Sequence, residues 1–181
     1  MLKNFFIVFA VLIVSFSYAK SIKLEYTAYI HGIPAGKTTV IINNNKIEVK
    51  GKTKGLINIF YRYEFHFLFD NGKMKLIEKE GKKKRIYEGQ QINKKKPWLP
   101  LLVSFFKEDK DYFKKLDGKT IKIGKKLIKI SIIEKNGEDV FVFEPLNSKT
   151  KKISFFVKKN SLYPYKIEII GKKDIILERD E

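Results

Sequence analysis

Two histidines are the side chains of this sequence best suited to acid–base or metal chemistry near neutral pH. His31 and His66 are its only histidines, and it contains no cysteine. Neither histidine has a second histidine at the short spacing that zinc sites commonly use, so a metal would need carboxylates from other segments. A polar residue on the outer face of a sheet is the simpler interpretation of each. We therefore expect no metal and no cofactor.

An active site built on serine or on paired carboxylates is no better supported. The sequence has no Gly-x-Ser-x-Gly segment, so no serine occupies a nucleophile elbow. Glu78 and Glu80 share one face of a predicted strand, but lysines surround them. A general acid needs a raised pKa, which neighbouring cations oppose. We expect a protein without catalytic activity, and an uncharacterised hydrolase using a histidine with a carboxylate is the weaker alternative.

Alternation of apolar and polar residues predicts that β-strands make up most of the chain. The clearest strand covers residues 61–69, where every odd-numbered position is aromatic. Asn-Gly and Gly-Lys pairs separate the strands and indicate hairpins. Between residues 98 and 106 the chain is almost continuously apolar, which predicts one short helix. The pattern predicts a mainly β protein of ten to twelve short strands with one helix near residues 98–106.

The first nineteen residues have the layout of a secretory signal peptide. Lys3 precedes an apolar run, and small residues stand at the −3 and −1 positions, Ser17 and Ala19. The run has about twelve residues, which is short for roughly 30 Å of hydrocarbon. Lys20 follows, where lipid attachment would require cysteine. We expect export to the periplasm, cleavage after Ala19, no lipid anchor and one domain over residues 20–181; an uncleaved segment acting as a tether is the alternative.

The chain is strongly basic, with 38 Lys and Arg against 20 Asp and Glu, a formal net charge of +18. Lysines at turns protect sheet edges from aggregation and also attract anions. No nucleic-acid-binding motif accompanies them, so we expect no nucleic acid partner. Lipid phosphate, acidic phospholipid, acidic polysaccharide or a membrane surface fits an exported protein better. The lysine runs are Lys82–Arg85, Lys94–Lys96, Lys125–Lys126, Lys149–Lys152 and Lys172–Lys173.

Three segments resemble a family of exported Gram-negative envelope proteins, domain of unknown function 3108. They are the Gly-Ile-Pro-Ala-Gly turn within 29–36, the Thr-x-Gly-Leu segment and aromatic strand of 53–61, and the Leu-x-Pro-x-Lys-Ile-Glu strand of 162–168, which follows strand 153–157. The chain departs from the family at 98–106, which lacks the family's leading Asp. The resemblance implies a strongly curved antiparallel sheet, half-barrel or barrel-like, and an envelope location. It implies no particular activity.

The aromatic strand and the predicted helix together form the candidate binding site. Aromatic residues on one strand face are usually core, which we favour here, although they can also line a lipid-sized cavity. The helix is expected to cover one mouth of the sheet, with a movable lid or a membrane-touching segment as alternatives. In the sharper hypothesis an acyl chain lies between sheet and helix. The ligand residues would be Tyr61, Tyr63, Phe65, Phe67, Trp98, Leu102 and Phe105, and the head-group residues Lys94, Lys95 and Lys96.

Taken together, the sequence predicts an exported monomer that binds a lipid-like or anionic envelope component. The alternative is a structural or interaction protein that docks a partner in an envelope assembly. The shape of the interior separates the two, because an open apolar hollow favours a ligand and a closed, packed interior favours a scaffold.

Overall fold

The computed structural model describes residues 21–96, 98–108, 110–123, 125–172 and 174–181. The predicted signal segment and its cleavage site lie outside these residues. The described chain forms twelve strands and four short helices. In chain order they are β1 (Ile22–Ile30), β2 (Ile33–Asn43), β3 (Lys46–Thr53), α1 (Ile57–Phe60), β4 (Tyr63–Asp70), β5 (Lys73–Glu80), β6 (Lys83–Glu88), α2 (Gln90–Lys95), α3 (Trp98–Lys107), α4 (Lys110–Lys114), β7 (Thr120–Ile123), β8 (Lys126–Lys135), β9 (Glu138–Pro145), β10 (Lys152–Lys158), β11 (Lys166–Ile170) and β12 (Ile175–Arg179).

All twelve strands belong to one antiparallel sheet, which confirms the mainly β prediction. Their order is β6-β5-β4-β3-β2-β1-β12-β11-β10-β9-β8-β7. The sheet therefore consists of two six-stranded meanders, β1–β6 and β7–β12, which join where β1 pairs with β12. Helices α2, α3 and α4 connect the two meanders, and β6 and β7 are the edges of the described sheet.

The up-and-down order gathers the strand connections at two opposite ends of the sheet. One end, here called the asparagine end, carries the tight turns Asn44-Asn45, Asn71-Gly72 and Asn136-Gly137. Asn-Gly turns suit hairpins because both residues accept positive φ, as the values of 46° and 83° at residues 71 and 72 illustrate. The other end, here called the lysine end, carries the connections β1–β2, β3–β4, β5–β6, β7–β8, β9–β10 and β11–β12.

The Gly-Ile-Pro-Ala-Gly segment is mostly a bulged strand. The turn itself takes only His31 and Gly32, with φ of 51° and 76°, and β2 begins at the next residue. The β1–β2 register shifts here, and Ala35 is the extra residue of the bulge. A Cβ on Gly36 would lie 2.1 Å from the carbonyl oxygen of Lys52, so this close approach of two strands requires glycine.

Helix α3 lies in the core and confirms the helix predicted near residues 98–106. Such an apolar helix belongs inside a fold, since it has no polar face to present to water. At its start Trp98 packs edge-to-face on Phe65 of β4, with ring centroids 6.1 Å apart. Further along, Phe105 stacks on Phe155 of β10 at 4.3 Å. The helix thus joins both meanders in one core. Its buried residues are Leu99, Pro100, Leu101, Leu102, Val103, Phe105 and Phe106.

Three further helices accompany α3, and the sequence pattern predicts neither α1 nor α2. Helix α1 directly precedes β4, and α2 includes part of the lysine run before α3. Ile92 is the buried residue of α2, and Phe113 is that of α4. A helix this short with a single buried residue shows no helical periodicity in the sequence. No helix in the described ranges is long and apolar enough to cross a membrane.

Candidate functional site

The residues predicted to line a ligand site separate into a buried and a half-buried group. Phe67, Leu102 and Phe105 are buried, with exposed fractions of 0%, 2% and 5%. The Phe105 ring also contacts Phe141 and Phe113, at centroid distances of 5.2 and 5.5 Å. The neighbours of this group are the protein's own aromatic rings, and an acyl chain would have to displace them.

The half-buried group forms a continuous row of rings on the face that carries α3. Tyr61 stacks on Tyr63 with centroids 5.9 Å apart, and Tyr63 lies 6.0 Å from Phe65, which contacts Trp98. Tyr61 precedes the strand rather than starting it, because α1 delays the start of β4 to residue 63. The row begins at the lysine end, so four of the predicted ligand residues lie side by side there.

The three predicted head-group lysines differ in their surroundings. Lys94 and Lys95 are exposed in the last turn of α2. The Nζ atom of Lys96 lies 2.7 Å from Oε1 of Glu78, a side chain that is 4% exposed. Tyr63 donates its hydroxyl hydrogen to the same oxygen. Burial raises the pKa of Tyr63, and this hydrogen bond raises it further. Lys96 therefore neutralises an internal carboxylate.

A groove of about 640 Å³ lies on the opposite face of the first meander, and sequence reasoning did not find it. Most of its side chains come from alternate strand positions, and the residues between them in sequence face α3. This follows because successive side chains of a strand point to opposite faces of the sheet. We call it the basic groove, because six lysines and a histidine line it beside three carboxylates. The charged lining residues are Lys37, Lys50, Lys52, Lys54, Lys79, Lys84, His66, Glu25, Glu64 and Asp180.

Some of the lysines in the basic groove are paired and others are not. Lys37 lies 2.6 Å from Asp180, and Lys79 lies 3.4 Å from Glu64. The hydrogen bond from Lys37 lowers the pKa of the Asp180 carboxyl. Among the described residues no carboxylate pairs with Lys52 or Lys84, and both side chains are exposed. The groove therefore presents cations whose charge the protein itself leaves uncompensated.

His66 lines the basic groove and shares the Glu48 carboxylate with Lys50. Its Nε2 atom lies 2.6 Å from Oε1 of Glu48, and Nζ of Lys50 lies 2.9 Å from the same oxygen. The hydrogen bond from Lys50 lowers the pKa of Glu48, with a smaller contribution from His66, against the opposing effect of burial. His31, by contrast, is exposed in the β1–β2 turn. Within the described ranges, no three His, Asp or Glu side chains are arranged to hold a metal ion.

No protein-family model matches the chain. A protein of Aquifex aeolicus (strain VF5), described as "Uncharacterized protein", is 31% identical over 169 residues, which are 91% of this chain and 87% of the relative. The chain belongs to the same family as this Aquifex aeolicus protein. The relative's description names no ligand and no reaction.

A second hollow, of about 650 Å³, lies at the asparagine end beside the β4–β5 turn. Its charged residues are two acids and two bases, and Lys75 is paired with Glu88 at 3.0 Å. Because these charges balance, the second hollow does not attract anions over cations. Of the two hollows, the basic groove is the better candidate site.

The basic groove escaped sequence analysis because it depends on strand register. Each strand of the first meander shows only a few polar residues at alternate positions, which is also the pattern of an ordinary solvated face. The lysines become neighbours only once Lys37 is known to face Lys52 across the β2–β3 pair, and Lys79 to face Lys84 across β5–β6. The pairing register was not available from the pattern alone.

Proposed function

We propose that the protein binds an anionic, lipid-like envelope molecule without catalysis, and that the basic groove holds the anionic group. The observation that carries this proposal is the surplus of cations in one hollow, six lysines against three carboxylates. Cations clustered in a concave surface concentrate the local field and attract anions. Charge-assisted hydrogen bonds from Lys52 and Lys84 would hold a phosphate or carboxylate there.

The floor of the basic groove favours a ligand that also has an apolar part. The side chain of Ile77 lines the groove and lies opposite His66 in the β4–β5 pair. Gly51 and Phe65 also border the groove, but the Phe65 ring lies on the other face of the sheet, where it contacts Trp98. An apolar side chain among charged ones suits a lipid-like molecule better than a small inorganic anion.

The finer shape that we propose is a half-barrel curved around α3. In the strand order, six inter-strand spacings separate β4 from β10. In a flat sheet these strands would be about 29 Å apart, since neighbouring strands are about 4.8 Å apart. A helix is only about 10 Å across. Contacts of α3 with both Phe65 and Phe155 therefore favour a sheet that bends around it.

Two parts of the earlier prediction enter this proposal differently. Tyr61, Tyr63 and Trp98 are half-buried and adjacent, so they stay predicted contacts for a ligand on the face toward α3, but a ligand in the basic groove would not reach them. We assign Leu102 and Phe105 to the core instead, because aromatic and aliphatic neighbours already fill the space around them.

The proposed location is the periplasm. It is supported by the signal-peptide layout of residues 1–19 and by the resemblance to the envelope family, both of which stay predictions. A protein made as a precursor and cleaved after Ala19 would begin at Lys20, so the intact mass of protein recovered from the envelope fraction tests this part of the proposal.

The binding proposal is tested by titration calorimetry with dihexanoyl phosphatidic acid as the probe. We expect binding that weakens with salt and that weakens about tenfold or more in K52Q/K84Q, since a hydrogen bond to a charged group contributes about 1.5–3 kcal/mol. The matched control K115Q/K129Q removes the same charge from exposed lysines outside the groove. Equal weakening in the two double variants would contradict the proposal.

A competition titration with inorganic phosphate distinguishes recognition of the head group from recognition of the whole lipid. We expect phosphate to compete with the probe only weakly, because it has no apolar part to contact Ile77. Phosphate that competes as well as the lipid would reduce the proposal to a simple anion site.

The second candidate function is a structural or interaction protein, and the packed interior around Phe105 favours it. Such a protein would act through its surface alone. Affinity capture from envelope extracts distinguishes the two: one dominant protein partner without co-purifying lipid favours the scaffold, whereas lipid without a stoichiometric protein partner favours the ligand-binding proposal.

A further inference from the structure

Exposed apolar side chains gather at the lysine end. Ten large hydrophobic side chains are exposed in the described chain, and six of them lie at this end. The most exposed three flank or belong to α1: Leu56 at 75%, Ile59 at 73% and Phe60 at 87%. Clustered exposed apolar residues mark an interaction surface, whereas scattered ones need no explanation. The six are Ile33, Leu56, Ile59, Phe60, Leu127 and Leu146.

Helix α1 holds its apolar residues outward on a backbone with its own hydrogen bonds. The N–H of Tyr61 donates to the carbonyl oxygen of Ile57 at 2.7 Å, and the hydroxyl of Thr53 donates to Oδ1 of Asn58 at 3.1 Å. The N–H of Lys54 reaches the neighbouring β2 strand. The tip formed by residues 55–60 is thus a built feature of the β3–β4 connection, and folding does not bury it.

Basic side chains share the lysine end with this tip. In the described connections of the lysine end, seven cations stand against a single acid, Asp174, and all seven are exposed. None of the seven forms an ion pair with a described residue. The tight turns of the asparagine end, by contrast, consist of uncharged Asn and Gly. The seven are Lys54, Arg62, Lys82, Lys125, Lys149, Lys151 and Lys172.

We propose that the lysine end docks on an anionic lipid bilayer, with Leu56, Ile59 and Phe60 inserted among the head groups. Apolar insertion flanked by basic residues is the combination that binds proteins at an anionic interface, because the apolar part leaves water while each cation meets lipid phosphate. This inference goes beyond the proposed function and does not require the basic groove to hold a ligand.

Charge favours a bilayer over a second copy of the chain as the occupant. Two copies meeting through their lysine ends would oppose seven cations with seven cations, which repel one another. A bilayer rich in acidic lipid supplies the complementary charge over a wide area. An acidic protein is the remaining occupant, and the test below distinguishes it.

The first test is flotation of the purified protein with vesicles of phosphatidylglycerol and phosphatidylcholine, and with vesicles of phosphatidylcholine alone. We expect binding to the anionic vesicles that falls at least tenfold in I59S/F60S. The matched control I133S/L162S changes two side chains that are 53% and 72% exposed away from the lysine end, and we expect it to bind like the wild type. Wild-type protein that ignores anionic vesicles, or equal loss in both variants, overturns the proposal.

The second test removes charge without touching the basic groove. K82Q/K125Q/K172Q should weaken vesicle binding about fivefold per lysine, which corresponds to about 1 kcal/mol for each cation near an acidic surface. K115Q/K135Q/K159Q removes the same charge from exposed lysines elsewhere and should have little effect. All variants share one N-terminus, so a tether formed by residues 1–19 would bind them equally and cannot produce these differences.

The third test reports insertion directly. In a Phe60→Trp variant, anionic vesicles should shift the new indole emission to shorter wavelength, and bromine-labelled lipid should quench it. The native Trp98 fluorescence of the wild type provides the reference. Emission that the brominated lipid does not quench overturns the proposed insertion. A solution oligomer that the I59S/F60S substitutions dissociate, or an acidic protein that displaces the vesicles, also overturns the proposal. Titration of I59S/F60S with phosphatidic acid tests the basic groove separately.

Discussion

Glu78 shows how strongly single residues tie the helical segment to the sheet. It is a buried carboxylate on the face that carries α3, and it accepts hydrogen bonds from Lys96 and Tyr63. A buried charge is tolerated only when it is paired, because its hydration is lost. Lys96 precedes α3, so its ion pair with Glu78 connects the start of α3 to β5.

Removal of Lys96 should therefore destabilise the protein strongly. We expect Lys96→Met to lower the free energy of unfolding by about 3–5 kcal/mol, because it leaves the Glu78 carboxylate buried without a cation. Urea denaturation followed by tryptophan fluorescence measures this change. Lys95→Met is the matched control and should stay within about 0.5 kcal/mol of wild type, since Lys95 is exposed and forms no ion pair with a described residue. Similar stabilities of the two variants would contradict a structural role for Lys96.

Glu48 should make stability depend on pH in the acid range. Its pKa in the folded protein lies below the ordinary value of 4.5, so its contribution is present above that value and is lost as pH falls through the lowered pKa. We expect Glu48→Gln to be less stable than wild type at neutral pH, with a difference that shrinks below about pH 4.5. Thermal unfolding at several pH values measures this difference. A constant difference would exclude the contacts of Glu48 with Lys50 and His66 as the cause.

The three lysines before α3 show a limit of sequence-based prediction. Lys94, Lys95 and Lys96 look identical in a charged run, and all three were predicted to contact a head group. Only the position of Glu78 on the neighbouring strand distinguishes Lys96, and no local pattern specifies which strand residue a lysine will meet.

Among the elements, the strands and α3 were predictable because their patterns are long. Asn-Gly turns fixed the hairpins, and the apolar run of α3 stands out against alternating strands. The bulge at Ala35 was not predictable, because a glycine, a proline and a second glycine close together indicate a turn equally well. Helix α1 was also missed, since Leu-Ile-Asn-Ile-Phe has good β propensity and its exposure depends on the hairpin that carries it.

Helix α3 should be essential for folding, in contrast to α1. We expect Phe105→Ala to lower the free energy of unfolding by about 3–5 kcal/mol, because it opens a cavity among stacked aromatic rings. Phe60→Ala should change stability by less than about 0.5 kcal/mol, since that ring is 87% exposed. Chemical denaturation of both variants checks the pair. A large loss in Phe60→Ala would mean that the tip packs within the fold and is not free to dock.

At the level of the whole molecule, the two faces and the two ends of one sheet carry different chemistry. The face toward α3 is aromatic and packed, the opposite face of the first meander holds the basic groove, and the lysine end carries cations with exposed apolar residues. This arrangement depends on the pairing of β1 with β12, which are distant in sequence. Composition predicts that the protein attracts anions, but only the topology shows where the cations converge.

Native mass spectrometry of protein recovered from cell envelopes, combined with extraction of bound lipid, tests the central proposal most directly. The proposal predicts an adduct of an anionic, lipid-like molecule on the wild type that dissociates as the salt concentration rises. The adduct should be absent from K52Q/K84Q and present on K115Q/K129Q. A wild-type protein that carries no ligand, or an adduct that both double variants retain equally, would contradict binding in the basic groove.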